Sequence, residues 1–151
     1  MMFKKILLAS VMIFTIATAN ASDGLIRIKS NHNVETTTEK FVNILNDKKM
    51  TVFTIIKHHE GAMKVDQKLR PTNVVIFGNP KIGTPLMNCA QNIAIDLPQK
   101  ALIAEDEKGD VWLSYNDPAY LVKRHDIKGC DKIIAKVTGA LAKFAAVATV
   151  K

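Results

Sequence analysis

The most constraining feature of this 151-residue chain is a stretch dense in glycine and proline near its middle, residues 77–98. It follows a β-branched run typical of a strand, and a regular element cannot easily continue through it. Thr84 and Pro85 predict a helix start, because threonine caps helices and the fixed φ of proline suits the first helical position. The turn from Gly78 to Gly83 is then expected to expose backbone N–H groups that could hold an anion. The stretch therefore predicts a strand, a turn and a helix in succession.

Apolar periodicity divides the rest of the chain into strands and helices. Strands are predicted at residues 26–29, 51–59, 73–77, 99–105 and 111–115. The main helices are predicted from the cap Asn33 to Lys49, from Thr84 to Pro98 and from Asp131 onward. A short helix or an irregular crossover is predicted after Gly61, and a short helix after Asp117. The order β-α-β-β-α-β-β-α, with a hairpin at 107–110, predicts an α+β fold: a mostly antiparallel sheet with helices packed on one face.

The N-terminus has the three parts of a secretory signal peptide. Lys4 and Lys5 precede an apolar run from Ile6 to about Ala17, and the small-residue pattern Ala19-Asn20-Ala21 follows. The run is shorter than the ~20 residues of a membrane-spanning helix, so cleavage near Ala21/Ser22 is favoured over retention as an anchor. We therefore predict a signal peptide at 1–21 and a single domain at 22–151. The protein is expected to be periplasmic or secreted, without a stable membrane anchor.

Composition and charge limit the class of partner. With 48% hydrophobic and 23% charged residues, the chain has the composition of one globular domain. Its net charge of +7 becomes +5 without Lys4 and Lys5, and the remaining basic residues are scattered. Scattered charge argues against a nucleic-acid partner. Lysines near helical spacing in 128–143 are interpreted as a solvated helix face.

A series of short motifs then runs through the chain: Leu69-Arg70-Pro71-Thr72, Phe77-Gly78-Asn79-Pro80, Gly83-Thr84-Pro85-Leu86-Met87, Asp96-Leu97-Pro98, Glu105-Asp106, Trp112 to Pro118, and Arg124-His125. These motifs resemble the bacterial family called domain of unknown function 302 (DUF302). The resemblance implies a compact α+β domain, a homodimer and no established activity. It also implies a polar signature at His59, Asn79, Thr84, Asp96, Glu105, Asp106, Tyr115, Asn116, Arg124 and His125. Neither cysteine belongs to the family pattern, which disfavours a catalytic thiol.

The two cysteines, Cys89 and Cys130, either form a disulfide or remain separate buried thiols. Spacing does not decide between these states, because a disulfide also needs Cα atoms that lie close together. A bridge would close a loop of 41 residues. On the chain-entropy model, such a bridge contributes about 4 kcal/mol.

Metal binding is the second question that the side chains raise. His58 and His59 fall in a predicted strand, so their side chains are expected on opposite faces and cannot chelate one ion together. His59 and His125 could converge with Glu105 or Asp106, which leaves a periplasmic metal-binding protein as an alternative. Because paired metal-ligand spacings are lacking, we predict neither a metal site nor a cofactor.

The leading functional hypothesis is a non-catalytic module that binds a small molecule or a partner protein, as a homodimer. The predicted binding rim consists of Asn79, Thr84, Tyr115, Asn116, Arg124 and His125, with His59, Asp96 and Glu105 as further candidates. Trp112 is assigned to the core and Tyr115 to the rim. The alternative is a hydrolase or isomerase that uses His59 or His125 with a carboxylate. A third interpretation makes the motifs purely structural, with the function on the dimer surface.

Overall fold

The computed structural model describes residues 24–150, which form one five-stranded antiparallel sheet with strand order β1-β5-β4-β3-β2. The predicted α+β class and mostly antiparallel sheet are confirmed. The predicted signal peptide lies outside the described residues. In chain order the elements are β1 Leu25–Lys29, α1 Val34–Asp47, β2 Thr51–Lys57, α2 His58–Met63, β3 Thr72–Gly78, α3 Pro80–Cys89, the 3-10 helix Gln91–Ile95, β4 Gln99–Glu105, β5 Val111–Asn116, α4 Pro118–Arg124 and α5 Asp131–Thr149.

Paired residues on neighbouring strands define the register of the sheet. Strands β4 and β5 pair with Ala101 opposite Tyr115, and β3 pairs with β4 so that Phe77 lies opposite Gln99. Strand β1, at the start of the described chain, pairs with β5, with Ile26 opposite Tyr115. The two sheet edges are therefore β1 and β2.

The core lies between one sheet face and the helices α1 and α5. Burial alternates along β3, where Val75 and Phe77 are fully buried, because side chains in a strand point alternately to its two faces. Phe41 of α1 meets Phe77 edge to face, with ring centroids 5.3 Å apart. Each such buried side chain contributes roughly 1.5–3 kcal/mol from the hydrophobic effect. The same face therefore holds both helices, as the sequence predicted.

The opposite sheet face is partly exposed to solvent. It presents Ile56 and Leu102, whose exposed fractions are 40% and 36%. Trp112 lies on this face as well, with the guanidinium of Arg27 stacked 4.8 Å from its ring centroid. The longest helix, α5, has 19 residues, and no helix in residues 24–150 combines the length and apolar character needed to cross a bilayer.

Helix α3 starts five residues earlier than predicted. Asn79, not Thr84, is its cap, and the Asn79 side chain accepts a hydrogen bond from the Lys81 amide at 2.9 Å. Both sites offer a capping side chain followed by proline, and asparagine is the stronger cap. Its Nδ2 also donates to the carbonyl oxygen of Lys49 at 3.3 Å, which ties this start to the end of α1. Pro85 consequently lies inside the helix, and Thr84 is an exposed helical residue.

The predicted long second strand is also shorter than expected. It ends at Lys57, and His58 and His59 begin the short helix α2, which contains Gly61. Sheet pairing ends there because Lys57 is opposite Asn73, near the start of β3. The two histidines therefore do not lie in a strand, and the prediction that their side chains point to opposite faces of a strand was wrong.

Candidate functional site

A cavity of about 560 Å³ lies among α3, α5 and the neighbouring ends of β2, β3 and β4. Apolar side chains supply most of its wall, including Phe53, Phe77, Leu86, Leu97 and Phe144. Phe53 lies where the β2 register shifts, and its side chain remains 55% exposed. An exposed aromatic ring bordering an apolar cavity offers a ready surface for an apolar molecule.

Two glycines leave room for this cavity. A Cβ atom at Gly78 would lie 3.4 Å from the Phe53 ring, and one at Gly83 would lie 3.8 Å from Leu97 Cδ1. Gly83 sits within α3 with an ordinary helical backbone, so its missing side chain creates space and not a special turn. The glycines that the sequence assigned to a turn thus line the cavity.

Few charged groups line the cavity, and all of them are positive. Lys48, Lys81 and Lys136 line it while remaining exposed, so they border its opening. Gln99 also lines it but is only 9% exposed. None of the lining residues found in the described chain is acidic. The site is therefore an apolar space with a cationic border and one buried amide.

The predicted anion-binding turn does not exist in this form. The Lys81 amide donates to Asn79 Oδ1, and the amides of Ile82 and Gly83 donate to the Asn79 carbonyl oxygen at 2.9 Å. Pro80 has no amide hydrogen. Because the helix begins at Pro80, the N–H groups expected to be free are already paired, and cationic character at the cavity comes from lysine side chains.

A cluster of three predicted residues lies next to the cavity wall. His125 Nε2 is 2.5 Å from Asp96 Oδ2, and Arg124 Nη1 is 3.5 Å from Asp96 Oδ1. His125 is buried, whereas Arg124 is half exposed. Asp96 immediately precedes the wall residues Leu97 and Pro98. The cluster thus fixes the wall segment to the end of α4.

A covalent link holds two other walls together. Cys89 and Cys130 form a disulfide with Cα atoms 6.5 Å apart. Cys89 ends α3, and Cys130 directly precedes α5. The two helices that flank the cavity are therefore joined near one end.

Of the other predicted polar residues, Asn79 and Thr84 line the cavity, whereas His59, Glu105 and Asp106 lie elsewhere. His59 Nδ1 accepts a hydrogen bond from the Thr72 amide at 3.1 Å, at the beginning of β3. Thr72 is opposite Ala104, next to Glu105, whereas the cavity lies at the Phe77 end of the same strands. With about 3.4 Å per residue, these two ends are roughly 20 Å apart. The structure therefore separates His59, Glu105 and Asp106 from Asn79 and Thr84.

Tyr115 was predicted at the rim and lies in the core, whereas Trp112 was predicted in the core and lies on the open sheet face. Tyr115 is 4% exposed and packs in the core, because its side chain points to the helix side of β5. Burial, and then the charge of Asp117, raise the pKa of the Tyr115 hydroxyl above its usual value of 10.0. Trp112 faces the open side. Asn116 is half-buried at the end of β5, opposite Leu25, and neither Tyr115 nor Asn116 lines the cavity.

Phe53, Lys81 and Gln99 line the cavity but were not predicted from the sequence, and Lys136 was assigned to a solvated helix face. Gln99 carried a weak signal, because it is a polar residue in phase with Ala101 and Ile103 on the buried side of β4. In residues 24–150, no group of three histidine, cysteine, aspartate or glutamate side chains is arranged to hold a metal ion.

Comparison with known proteins gives a family match and a fold match. The family described as "Domain of unknown function DUF302" matches residues 26–144. A solved DUF302 protein from Bacillus stearothermophilus, described as uncharacterized and conserved, superposes with a TM-score of 0.75, covering 84% of this chain and 99% of that one. At 16% identity, this likeness shows the fold alone.

Curated relatives add a longer protein. Two proteins named Fluoride-specific ion channel FluC 1, from Brucella suis and Brucella abortus, are each 40% identical to this chain over 127 residues. The matches cover 82% of this chain but 50% and 47% of the two relatives. The chain thus spans about half the length of the curated relatives it matches.

Proposed function

Because this chain belongs to the DUF302 family, whose description names no activity, we propose its function from its own site: a non-catalytic module that binds a small, mainly apolar molecule. The cavity among α3, α5 and the strand ends carries this proposal. Its volume of about 560 Å³ falls within the range of known small-molecule sites. An apolar wall with a few polar groups is also typical of such sites.

The contacts of the Asp96 cluster support binding over catalysis. Asp96 and His125 bind each other, and Arg124 lies beside the same carboxylate. The cluster lies beside Leu97 and Pro98, so its contacts suit an anchor for the cavity wall. A hydrolase or isomerase built on Asp96 and His125 is the alternative proposal, and it would require this pair to open toward a substrate.

The proposal is tested by filling the cavity. In Gly83→Leu, the new side chain enters the cavity from α3, where a Cβ meets only an ordinary contact with Leu97. We expect fluorescence titration with the apolar dye Nile red to show binding to the wild-type protein and about tenfold or greater weakening in this variant.

The matched control is Gly139→Leu on α5. A Cβ there meets nothing within 4 Å, so this variant adds the same side chain to a helix without entering the cavity. Both changes replace a helical glycine by leucine and share its gain in helix propensity. Equal dye affinity in both variants would refute the cavity as the binding site, as would no binding by the wild-type protein.

We also propose that the domain is exported and works outside the cytoplasm. The signal-peptide pattern before Ser22 supports this, and so does the disulfide between Cys89 and Cys130, since disulfides persist in oxidising compartments. Intact-protein mass spectrometry of material from the native source would test both features. A chain that retains residues 1–21 and two free thiols would contradict the proposal.

A homodimer remains part of the proposal, and the exposed sheet face supports it. Ile56 and Leu102 are large apolar residues on one side of the sheet, next to Trp112. Exposed apolar patches commonly mark interaction sites. A second copy of the chain could cover this face while leaving the cavity on the helix side accessible.

The Brucella relatives support a second candidate, in which the domain assists a membrane protein that handles fluoride. Half of each relative matches this chain, and their printed names describe fluoride-specific channels. Growth of a deletion strain in fluoride, with chloride as the control, would test this role. Equal fluoride tolerance in the deletion and parent strains would contradict it.

A further inference from the structure

We propose that the cavity takes an amphiphilic anion: an alkyl body inside the cavity and a carboxylate or phosphate head at its lysine border, with Gln99 hydrogen-bonded to the polar end. This inference rests on the proposed binding function and narrows it to one class of ligand. Carboxylate and phosphate share the required chemistry, which is a compact negative charge with several acceptor oxygens.

The charge at the opening comes from three separate elements. Lys48 follows α1, Lys81 lies in the first turn of α3, and Lys136 lies on α5. In the part of the chain that the structure describes, none of these ammonium groups has a salt bridge, whereas Lys29, Lys57 and Lys128 each do. Three unpaired cations that border one cavity, without an acidic lining residue, favour an anion there over a cation or a neutral polar group.

Gln99 adds a hydrogen-bonding group to the cavity wall. It begins β4 with its side chain on the helix side, lines the cavity and is 91% buried, since only 9% of it is exposed. Its amide makes no hydrogen bond to another described residue, whereas the neighbouring Lys100 side chain donates to the carbonyl oxygens of Asp96 and Pro98. The amide atoms themselves stay accessible at the cavity surface, so Gln99 Nε2 can donate a hydrogen bond to a ligand oxygen.

The apolar wall favours an alkyl chain over a polar ligand body. Phe53, Phe77 and Phe144 lie around the same space as Leu86 and Leu97, and offer no polar partner to a sugar or nucleotide. An alkyl chain gains free energy by leaving water for such a wall, in proportion to the apolar area that it buries. The head remains at the border, where the lysines stay hydrated.

The test compares ligands that share one alkyl chain. Isothermal titration calorimetry is performed with decanoate, decyl phosphate, decanol and decyltrimethylammonium. We expect both anions to bind about tenfold or more tightly than decanol, the cation to bind more weakly still, and the affinity for the anions alone to fall as salt increases. Tighter binding of decanoate would indicate a free carboxylic acid, and tighter binding of decyl phosphate a phosphate headgroup.

Variants then assign the contacts. Lys81→Met and Lys136→Met should each weaken decanoate binding by about two- to fivefold, because the ion pairs are partly solvated. Lys143→Met is the matched control, since Lys143 is an exposed lysine of α5 that does not line the cavity, and it should leave the affinity unchanged. Gln99→Met keeps the length of the side chain and should weaken decanoate about fivefold without changing Nile red binding.

The outcomes separate this inference from the proposed function. If decanol and decanoate bind equally well, or if Lys143→Met weakens decanoate as much as Lys81→Met and Lys136→Met do, the anionic head is refuted while apolar binding stands. If none of the amphiphiles and no Nile red binds to the wild-type protein, both proposals are refuted. If Gln99→Met has no effect on decanoate, the assigned hydrogen bond is refuted.

Discussion

Asp106 organises the turn between β4 and β5 through both of its carboxylate oxygens. Oδ1 accepts from the amides of Lys108 and Asp110 at 2.9 and 3.0 Å, and Oδ2 accepts from the Trp112 indole Nε1 at 2.9 Å. The indole hydrogen bond, followed by the two amides, lowers the pKa of Asp106 below its usual 3.8. A residue of the polar signature that the family resemblance implies therefore has a structural role.

This lowered pKa predicts a loss of stability in acid. The folded chain binds a proton at Asp106 less readily than the unfolded chain, so the stabilisation is complete above pH 3.8 and is lost as the pH falls through the lower, folded-state pKa. Asp106→Asn should be less stable than the wild type at neutral pH, and this difference should shrink below about pH 4. Thermal unfolding measured against pH tests this.

Glu107→Gln is the control for Asp106→Asn. Glu107 lies in the same turn, and its carboxylate forms only an exposed ion pair with Arg70 at 3.2 Å. We expect its melting temperature to follow the wild type across the pH range. A pH-independent difference between Asp106→Asn and the wild type would contradict the proposed role of the Asp106 charge. Emission from Trp112, the single tryptophan of the chain, reports directly on the indole contact.

A second residue-scale prediction concerns Asp96. Asp96→Asn weakens the bond to the buried His125 imidazole and should lower the free energy of unfolding by about 1–3 kcal/mol, as measured by urea denaturation. Asp126→Asn is the matched control, because Asp126 pairs with Lys128 where both side chains are about 80% exposed. That variant should change stability by less than about 0.5 kcal/mol. Equal effects would show that the Asp96 bond contributes nothing specific.

Individual residues were predictable from the sequence where their contacts are local. The caps Asn33 and Asp117 are confirmed, since each side chain accepts an amide hydrogen bond from within the first turn of its helix. The choice between Asn79 and Thr84 was only partly predictable, because asparagine is the stronger cap but a contact with Lys49, thirty residues away, also helps to select Asn79. Gln99 and Lys136 become site residues only when β4 and α5 meet at the cavity.

At the scale of elements, strong periodicity located all five strands and the long helices α1 and α5. The prediction failed where one short segment could be either strand or helix, as from His58 to Met63. There the apolar run of β2 continues into two histidines, and only the end of pairing with β3 stops the strand. The predicted site residues lie at different ends of the sheet, and this too was not predictable, because the sequence does not show which end each loop occupies.

The disulfide between α3 and α5 gives a prediction at this scale. Its loop spans 41 residues, so the double variant Cys89→Ser/Cys130→Ser should lose about 4 kcal/mol of unfolding free energy. Urea denaturation with and without reductant measures this loss. Reductant should destabilise the wild type and leave the double variant unchanged. Identical curves for the two proteins without reductant would contradict a stabilising bridge.

At the scale of the whole molecule, the helices cover one sheet face and leave the other partly exposed, and this exposed face is the one that we propose for the dimer. Leu102 lies on this open face, between Val74 of β3 and Ser114 of β5. We expect Leu102→Lys to convert a dimer into a folded monomer, as measured by sedimentation velocity. The control is Leu69→Lys, at an exposed leucine between α2 and β3, which should remain dimeric. A wild-type protein that sediments as a monomer would refute the dimer.

The register shift between Val52 and Thr54 has a consequence for the free edge of the sheet. A regular outer strand offers its unpaired backbone groups to any other chain in solution, which is how fibrils recruit new molecules. The shift interrupts that template in β2 and turns Phe53 toward the cavity. One irregularity therefore both interrupts the unpaired edge and places Phe53 at the cavity, so a change that straightened β2 would restore a regular edge for other chains to pair with and remove an aromatic side chain from the cavity wall.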